Sequence, residues 1–117
     1  IKTKSTIKET YIKRFLEELV KNGDREHNPA FYADKLCITP KHLSTVVKAV
    51  SGRTAGSWID GYVILAAKVM LRSSANTIQE VSVALNFPNQ SFFGKFFKQH
   101  VGMSPREYRL KNDHETN

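Results

Sequence analysis

Residues 39–54 read TPKHLSTVVKAVSGRT, and residues 89–104 read NQSFFGKFFKQHVGMS. The two stretches align without a gap when the numbering is shifted by 50. The apolar residues Leu43, Val46 and Val47 then fall on Phe93, Phe96 and Phe97, Lys48 falls on Lys98, and Gly52 falls on Gly102. Because glycine commonly ends a helix, its coincidence in both stretches indicates a duplicated structural unit rather than a chance alignment.

The repeat extends upstream with a shift of 49, which pairs Asn28 with Thr77 and Leu36 with Leu85. The second copy therefore holds one extra residue in its turn. Each copy reads as a short helix, a tight turn, a second helix and a glycine stop, which is the helix-turn-helix pattern. Two such units in one small chain predict a protein that reads two successive stretches of DNA.

Cap residues and apolar spacing divide the chain into seven predicted helices, and no segment shows the alternation of a strand. The first helix is predicted over Thr6–Val20 and the longest over Ser57–Arg72. Four of the other helices begin at cap residues, namely Asn28, Thr39, Thr77 and Ser104, and the sixth follows a turn over residues 86–89. We expect an all-α fold with a first lobe (1–55), a linker helix (56–73), a second lobe (74–112) and a tail (113–117).

Apolar residues at helical spacing predict the core. The predicted core residues comprise Ile7, Tyr11, Phe15 and Leu19; Phe31, Tyr32 and Leu36; Leu43, Val46, Val47 and Val50; Trp58, Ile59, Tyr62, Leu65, Ala66, Val69 and Met70; Ile78, Val81 and Leu85; Phe93 and Phe97; and Tyr108. The sixth helix also carries Phe92 and Phe96. The turn residue Cys37 is predicted to be a small buried hydrophobe that reacts slowly with thiol reagents.

Composition narrows the class of partner. The chain has 117 residues, with 18 Lys and Arg against 11 Asp and Glu, so its formal charge is +7. This excess attracts polyanions such as nucleic acid.

No apolar run approaches the length of a membrane span, and the single cysteine fits a reducing cytoplasm. The chain begins at Ile1 rather than Met, which suggests a piece of a longer protein.

Catalysis finds little support in the sequence. The histidines are scattered, none has a metal-ligand spacing with Cys37, and no glycine-rich phosphate loop or nucleophile elbow is present. We therefore expect no enzymatic activity, no cofactor and no metal.

In a helix-turn-helix the second helix enters the major groove and meets base edges with its exposed N-terminal residues. The predicted exposed face of the third helix carries Lys41, Ser44, Thr45 and Lys48, and that of the sixth helix carries Asn89, Gln90, Ser91, Gly94, Lys95 and Lys98. Gly94 offers no side chain but lets the backbone approach DNA closely. The predicted contacts to the DNA backbone are Thr39, Lys48, Thr77, Asn89, Lys98, Ser104 and Arg106. For the cap residues of this second set, helix capping alone is an equally good explanation.

The second copy resembles the DNA-binding domain of the AraC/XylS family of bacterial transcriptional regulators. The resemblance rests on TIQEV (77–81), NF (86–87), QSFF (90–93), FK (97–98), Gly102 and SPREYR (104–109). YADKL (32–36) and PKHLS (40–44) in the first copy are also typical of that family.

This resemblance implies seven helices, two helix-turn-helix units joined by the long helix, and two half-sites about one DNA turn apart. It also implies that the base-reading residues are Lys41, Ser44 and Thr45 in the third helix, and Gln90, Ser91, Gly94 and Lys95 in the sixth. Three positions depart from the family pattern. Asn86 replaces a glycine whose left-handed conformation asparagine can adopt, Val63 replaces a linker-helix arginine, and Gly94 replaces a polar residue.

The family also implies a separate effector-binding or dimerisation domain on the N-terminal side, with RNA polymerase as a further candidate partner. Two other functions stay open at the level of sequence. One is the regulatory half of a DNA-repair methyltransferase, which would need a reactive cysteine upstream. The other is a helical bundle that binds only protein.

Overall fold

Seven α-helices make up the computed structural model, which describes the backbone of residues 4–116 and the side chains of residues 7–112, and no strand occurs in that part of the chain. The helices are α1 (Lys4–Asn22), α2 (Pro29–Lys35), α3 (Pro40–Ser51), α4 (Ala55–Arg72), α5 (Ile78–Ala84), α6 (Gln90–Val101) and α7 (Pro105–Thr116). The all-α prediction and all seven helices are confirmed. The last helix is longer than expected, because it continues to Thr116 through most of the predicted tail.

The helices fall into two compact units, Ile1–Tyr62 and Val63–Asn117. Unit 1 contains α1, α2, α3 and the start of α4, and unit 2 contains the rest of α4 with α5, α6 and α7. Each unit holds one helix-turn-helix pair, which is α2 with α3 in unit 1 and α5 with α6 in unit 2.

The core of unit 1 forms where α1, α2 and α3 meet. Phe15 and Leu43 are 0% exposed, and the ring of Phe15 meets that of Tyr32 edge-on at a centroid distance of 5.5 Å. The Tyr32 hydroxyl donates to the Glu26 carbonyl at 2.7 Å, and burial raises the pKa of this phenol well above its ordinary value. A buried hydroxyl with its hydrogen bond satisfied fixes the loop before α2 to the core.

The core of unit 2 is built from a different set of side chains. Its buried members are Ala67, Leu71, Val81, Leu85, Phe93, Phe97 and Tyr108. Arg109 of α7 donates to the carbonyl oxygens of Leu71, Ser73 and Asn76. Since the last carbonyls of a helix have no partner within it, this arginine satisfies one carbonyl at the C-terminal end of α4 and also binds the segment that follows the helix.

Several predicted core residues are exposed. Ile7 is 47% exposed and Val50 is 40% exposed, so the stripes on α1 and α3 are narrower than their apolar spacing indicated. Phe92, which α6 carries beside the predicted core pair Phe93 and Phe97, is 61% exposed.

The buried face of α4 was predicted only in part. Its buried residues recur every four positions, at Ala55, Ile59, Val63, Ala67 and Leu71. Leu65 and Val69, which were expected in the core, are 60% and 61% exposed. Trp58 and Tyr62, by contrast, are half-buried against the core of unit 1, as expected. Because α4 carries apolar residues on most of its circumference, hydrophobic spacing alone does not select one face.

Candidate nucleic-acid interface

The two turns preceding α3 and α6 begin with the same left-handed helix ending. Cys37 and Asn86 both lie in the left-handed region, with φ of 60° and 64°. The residue after each donates to a carbonyl five positions earlier, Ile38 to Ala33 and Phe87 to Ser82, both at 3.0 Å. This pattern is the Schellman ending of α2 and α5. The prediction that Asn86 adopts the left-handed conformation is confirmed.

Cys37 is exposed, contrary to the prediction of a buried hydrophobe. A residue at the left-handed position ends a helix and projects away from it, whereas its neighbours Leu36 and Ile38 pack against the core of unit 1. The alignment of Cys37 with Asn86 at a shift of 49 was the signal in the sequence that would have revealed this.

Local hydrogen bonds define both ends of α3. The Thr39 hydroxyl accepts from the backbone N–H of His42 at 3.0 Å, Pro40 fills the first turn, and Gly52 ends the helix with φ of 76°. Leu43 and Val47 are fully buried. The predicted base-reading residues of this helix lie on its exposed side, namely Lys41, Ser44 and Thr45.

The hydroxyl of Thr45 is already engaged within the helix. It donates to the Lys41 carbonyl at 2.9 Å. A hydroxyl has one proton and two lone pairs, so Thr45 presents a methyl group and acceptor lone pairs to anything that approaches α3.

The ends of α6 are built in the same way. The Asn89 side-chain oxygen accepts from the N–H of Phe92 at 2.8 Å, and Gly102 ends the helix with φ of 91°. Phe93 and Phe97 are fully buried, which confirms their predicted place in the core. Gln90, Ser91 and Lys95 are exposed, as predicted for base-reading residues.

Gly94 has open space around it. A Cβ atom added at this position would meet no heavy atom within 4 Å. Packing within unit 2 therefore does not require glycine here, and the residue gives α6 a surface on which backbone is accessible.

The predicted backbone-contact residues have different local partners. Thr39 and Asn89 cap α3 and α6, which carry no acidic residue in their first turns. Thr77 and Ser104 belong to capping boxes, because Glu80 and Glu107 accept from their backbone N–H groups at 2.8 and 3.1 Å. These N–H donors hold the pKa of both glutamates below the usual range.

A carboxylate already lies at the N-terminus of α5 and of α7, whereas no carboxylate lies in the first turn of α3 or α6. Since a helix N-terminus attracts phosphate through its free N–H groups and its dipole, the starts of α3 and α6 are the better phosphate sites.

The predicted lysine contacts also differ. Lys48 donates to the carbonyl of Gly52 at 3.1 Å and so caps the end of its own helix. Lys98 and Arg106 are exposed, and the charge of Lys98 acts on Glu107.

The sequence analysis did not single out Arg53, which is fixed beside the N-terminus of α4. Its guanidinium lies 4.2 Å from the centroid of the Trp58 ring, and Nη2 donates to the Ser57 carbonyl at 3.0 Å. The indole N–H of Trp58 in turn donates to Ser51 at 2.9 Å. An exposed arginine directly after the glycine that ends α3 was the available signal.

The described residues contain no cluster of three or more potential metal ligands. Within that part of the chain no helix has the length and apolar character needed to cross a membrane.

Residues 32–111 match a family model described as a helix-turn-helix domain. The arabinose operon regulatory protein of Escherichia coli is 29% identical over 95 residues, which cover 81% of this chain and 32% of that protein. The chain therefore spans about a third of the length of this curated relative.

Two solved structures show the same fold. A transcriptional regulator from Chromobacterium violaceum, with an AraC-type DNA-binding domain, superposes with a TM-score of 0.77 at 16% identity, covering 88% of this chain and 92% of that one. The DNA-binding domain of AdpA, solved in complex with a target DNA, superposes with a TM-score of 0.76 at 16% identity, covering 86% and 91%.

Proposed function

The chain belongs to the AraC/XylS family of helix-turn-helix regulators, and from this premise we propose that it binds double-stranded DNA sequence-specifically and regulates transcription. The observation that carries the proposal is the duplicated geometry of α3 and α6. Each helix has a capped start without an acidic residue, a fully buried side and an exposed polar side. The charge of +7 supports a polyanionic partner.

In this proposal α3 reads one half-site through Lys41, Ser44 and Thr45. Lysine can donate to the acceptors of guanine. Because the Thr45 proton is used within the helix, Thr45 would accept from the amino group of adenine or cytosine, or place its methyl group against thymine.

The second half-site would be read by α6. The Gln90 amide can form a bidentate pair with adenine, Lys95 can donate to guanine, and Ser91 can accept or donate. Gly94 would allow the helix backbone to approach the bases, since nothing in unit 2 occupies the space of its missing side chain.

For contacts to the DNA backbone, the local geometry favours some of the proposed residues over others. The starts of α3 and α6, capped by Thr39 and Asn89, have no carboxylate nearby and suit phosphate. Lys98 and Arg106 add exposed positive charge. Thr77 and Ser104 are weaker candidates because their capping glutamates would repel phosphate, and Lys48 would first have to leave Gly52.

The full-length protein would place this domain beside an N-terminal effector-binding or dimerisation domain. The arabinose operon regulatory protein, about three times longer than the matched region, supports this arrangement. RNA polymerase is a further proposed partner, and the cytoplasm is the proposed location. The relatives named above are regulators, and we propose a non-enzymatic role for this chain as well.

The experiment that tests the proposal is selection of duplexes from a random library, followed by footprinting of the bound site. One monomer should protect two different half-sites about 10 base pairs apart, without a palindrome. Gln90→Ala should relax preference at one or two base pairs of one half by about 1–3 kcal/mol, and Thr45→Ala should act on the other half. If both changes alter the same base pairs, or if only a symmetric dimer binds, the two-unit reading is wrong.

Salt dependence gives a second test of the same proposal. Duplex affinity should fall steeply with salt, because each neutralised phosphate releases condensed counterions. Lys98→Gln should lower the log–log slope by about 1, whereas Lys13→Gln on α1 removes the same charge from outside the proposed interface and should leave the slope unchanged. An affinity that stays flat between low and moderate salt would contradict DNA binding.

A further inference from the structure

Phe92 differs from the other three phenylalanines of α6. Phe93 and Phe97 are fully buried, and the ring of Phe96 lies 5.2 Å from that of Phe87 and 4.4 Å from that of His100. Phe92 is 61% exposed, and no aromatic ring of the described residues contacts it. An aromatic ring left in water contributes little to folding, since most of its apolar surface is not buried.

The position of Phe92 places it among the proposed base-reading residues. It lies in the first turn of α6, directly after Ser91 and one turn before Lys95, and all three side chains are exposed. Recognition helices meet base edges with this first turn. Phe92 is thus an apolar ring on an otherwise polar helix surface.

The equivalent residue of unit 1 has a different environment. Shifted by 50, Phe92 corresponds to His42, whose ring packs edge-on against Tyr11 at a centroid distance of 5.4 Å. In unit 1 this position is therefore supported by α1. In unit 2 no aromatic ring among the described residues contacts the larger apolar ring at the same position.

We propose that Phe92 determines specificity by contacting the C5-methyl group of a thymine in the half-site read by α6. The thymine methyl is the apolar group that a base pair presents in the major groove, and phenylalanine is one of the side chains suited to it. Lys95, three positions further on, lies beside Phe92 on the same side of α6 and is exposed with it, so the ring is continuous with the proposed base-reading surface. The proposal rests on the DNA binding proposed above.

The test replaces each thymine of a selected duplex by deoxyuridine, which lacks only the methyl group. For the wild-type chain, one replacement in the half-site affected by Gln90→Ala should weaken binding about four-fold, which is the ~0.8 kcal/mol of one buried methylene. Phe92→Ala should weaken binding to the thymine duplex and should no longer distinguish thymine from deoxyuridine at that position. Phe92→Leu should keep part of the discrimination.

Val69→Ala is the matched control, because Val69 is also 61% exposed but lies on α4. This variant should retain the full four-fold discrimination, and the thermal melts of Phe92→Ala and Phe92→Leu should match that of the wild type. Specific binding in which no deoxyuridine weakens the wild type, or in which Phe92→Ala keeps the discrimination, would overturn this inference and leave the proposed function standing. Failure to bind any duplex would overturn both.

Discussion

The core of unit 1 takes its buried aromatic rings from α1 and α2, whereas the core of unit 2 takes most of them from α6. Phe15 and Tyr32 fill the first core, and Leu43 and Val47 of α3 face them. In the second core Ala67 and Val81 face the larger Phe93 and Phe97. The helix-turn-helix backbone is thus repeated, but the large side chains come from different helices in the two cores. Close packing allows this exchange where the total volume of the core side chains is similar.

The largest test of this comparison removes one recognition-helix side chain from each core. Phe97→Ala should lower the free energy of unfolding by about 3–5 kcal/mol. Val47→Ala, at the equivalent position, should cost about 2 kcal/mol because it removes fewer buried carbon atoms. Urea denaturation measures both. If Phe97→Ala unfolds like the wild type and loses DNA affinity instead, the ring is a contact surface and the assignment of the α6 face is wrong.

A second test concerns Gly94 and Ser44, which occupy equivalent positions in α6 and α3. Gly94→Ala should stabilise the protein by about 1 kcal/mol, because alanine favours the helix and its methyl group meets open space. Ser44→Gly, which places a glycine at the equivalent position of unit 1, should destabilise it by roughly 0.5 kcal/mol. Thermal denaturation measures the two effects. A loss of stability in Gly94→Ala would show that the space is filled, and weaker duplex binding by a stabilised variant would support close approach of the backbone.

The left-handed turn residues provide a third, smaller test. At positive φ the Cβ atom of cysteine is strained against the backbone. Asparagine is strained less, and glycine, which has no Cβ, is not strained. Cys37→Gly should therefore raise the free energy of unfolding by about 0.5–1 kcal/mol after the greater chain entropy of glycine is subtracted, and Asn86→Gly should change it less. Equal gains at the two turns would contradict this difference.

Because Cys37 is exposed, Ellman's reagent should modify it in the native protein as quickly as in urea.

The smallest expected effect concerns acid stability. The pKa of Glu80 and of Glu107 is lowered by N–H donors in the folded state. The stability that these two carboxylates add to the fold is therefore fully present above the pKa of glutamate in the unfolded chain, about 4.3. It is lost as the pH falls through the lower folded values. Glu80→Gln and Glu107→Gln should flatten the fall in Tm between pH 5 and pH 3. Glu9→Gln, an exposed change on α1 outside any capping box, is the control and should leave that slope unchanged.

Much of the candidate interface could be predicted because it depends on local chemistry. Thr39, Thr77, Asn89 and Ser104 start their helices through hydrogen bonds to residues three positions away, and glycine ends α3 and α6. Once the ends of a helix and one buried pair are known, its exposed face follows from the helical period. The exposure of Lys41, Ser44, Thr45, Gln90, Ser91 and Lys95 is confirmed, and their contacts with bases stay predictions.

The sequence by itself thus determined the seven helices, the duplication and the family, because capping and helical spacing act over a few residues. Tertiary structure alone decided which face of α4 is buried. That helix has apolar residues on several sides, and only contact with the other helices selects the stripe at Ala55, Ile59, Val63, Ala67 and Leu71 over Leu65 and Val69. The same holds for Phe92, since a phenylalanine is buried only where another element lies close enough to cover it.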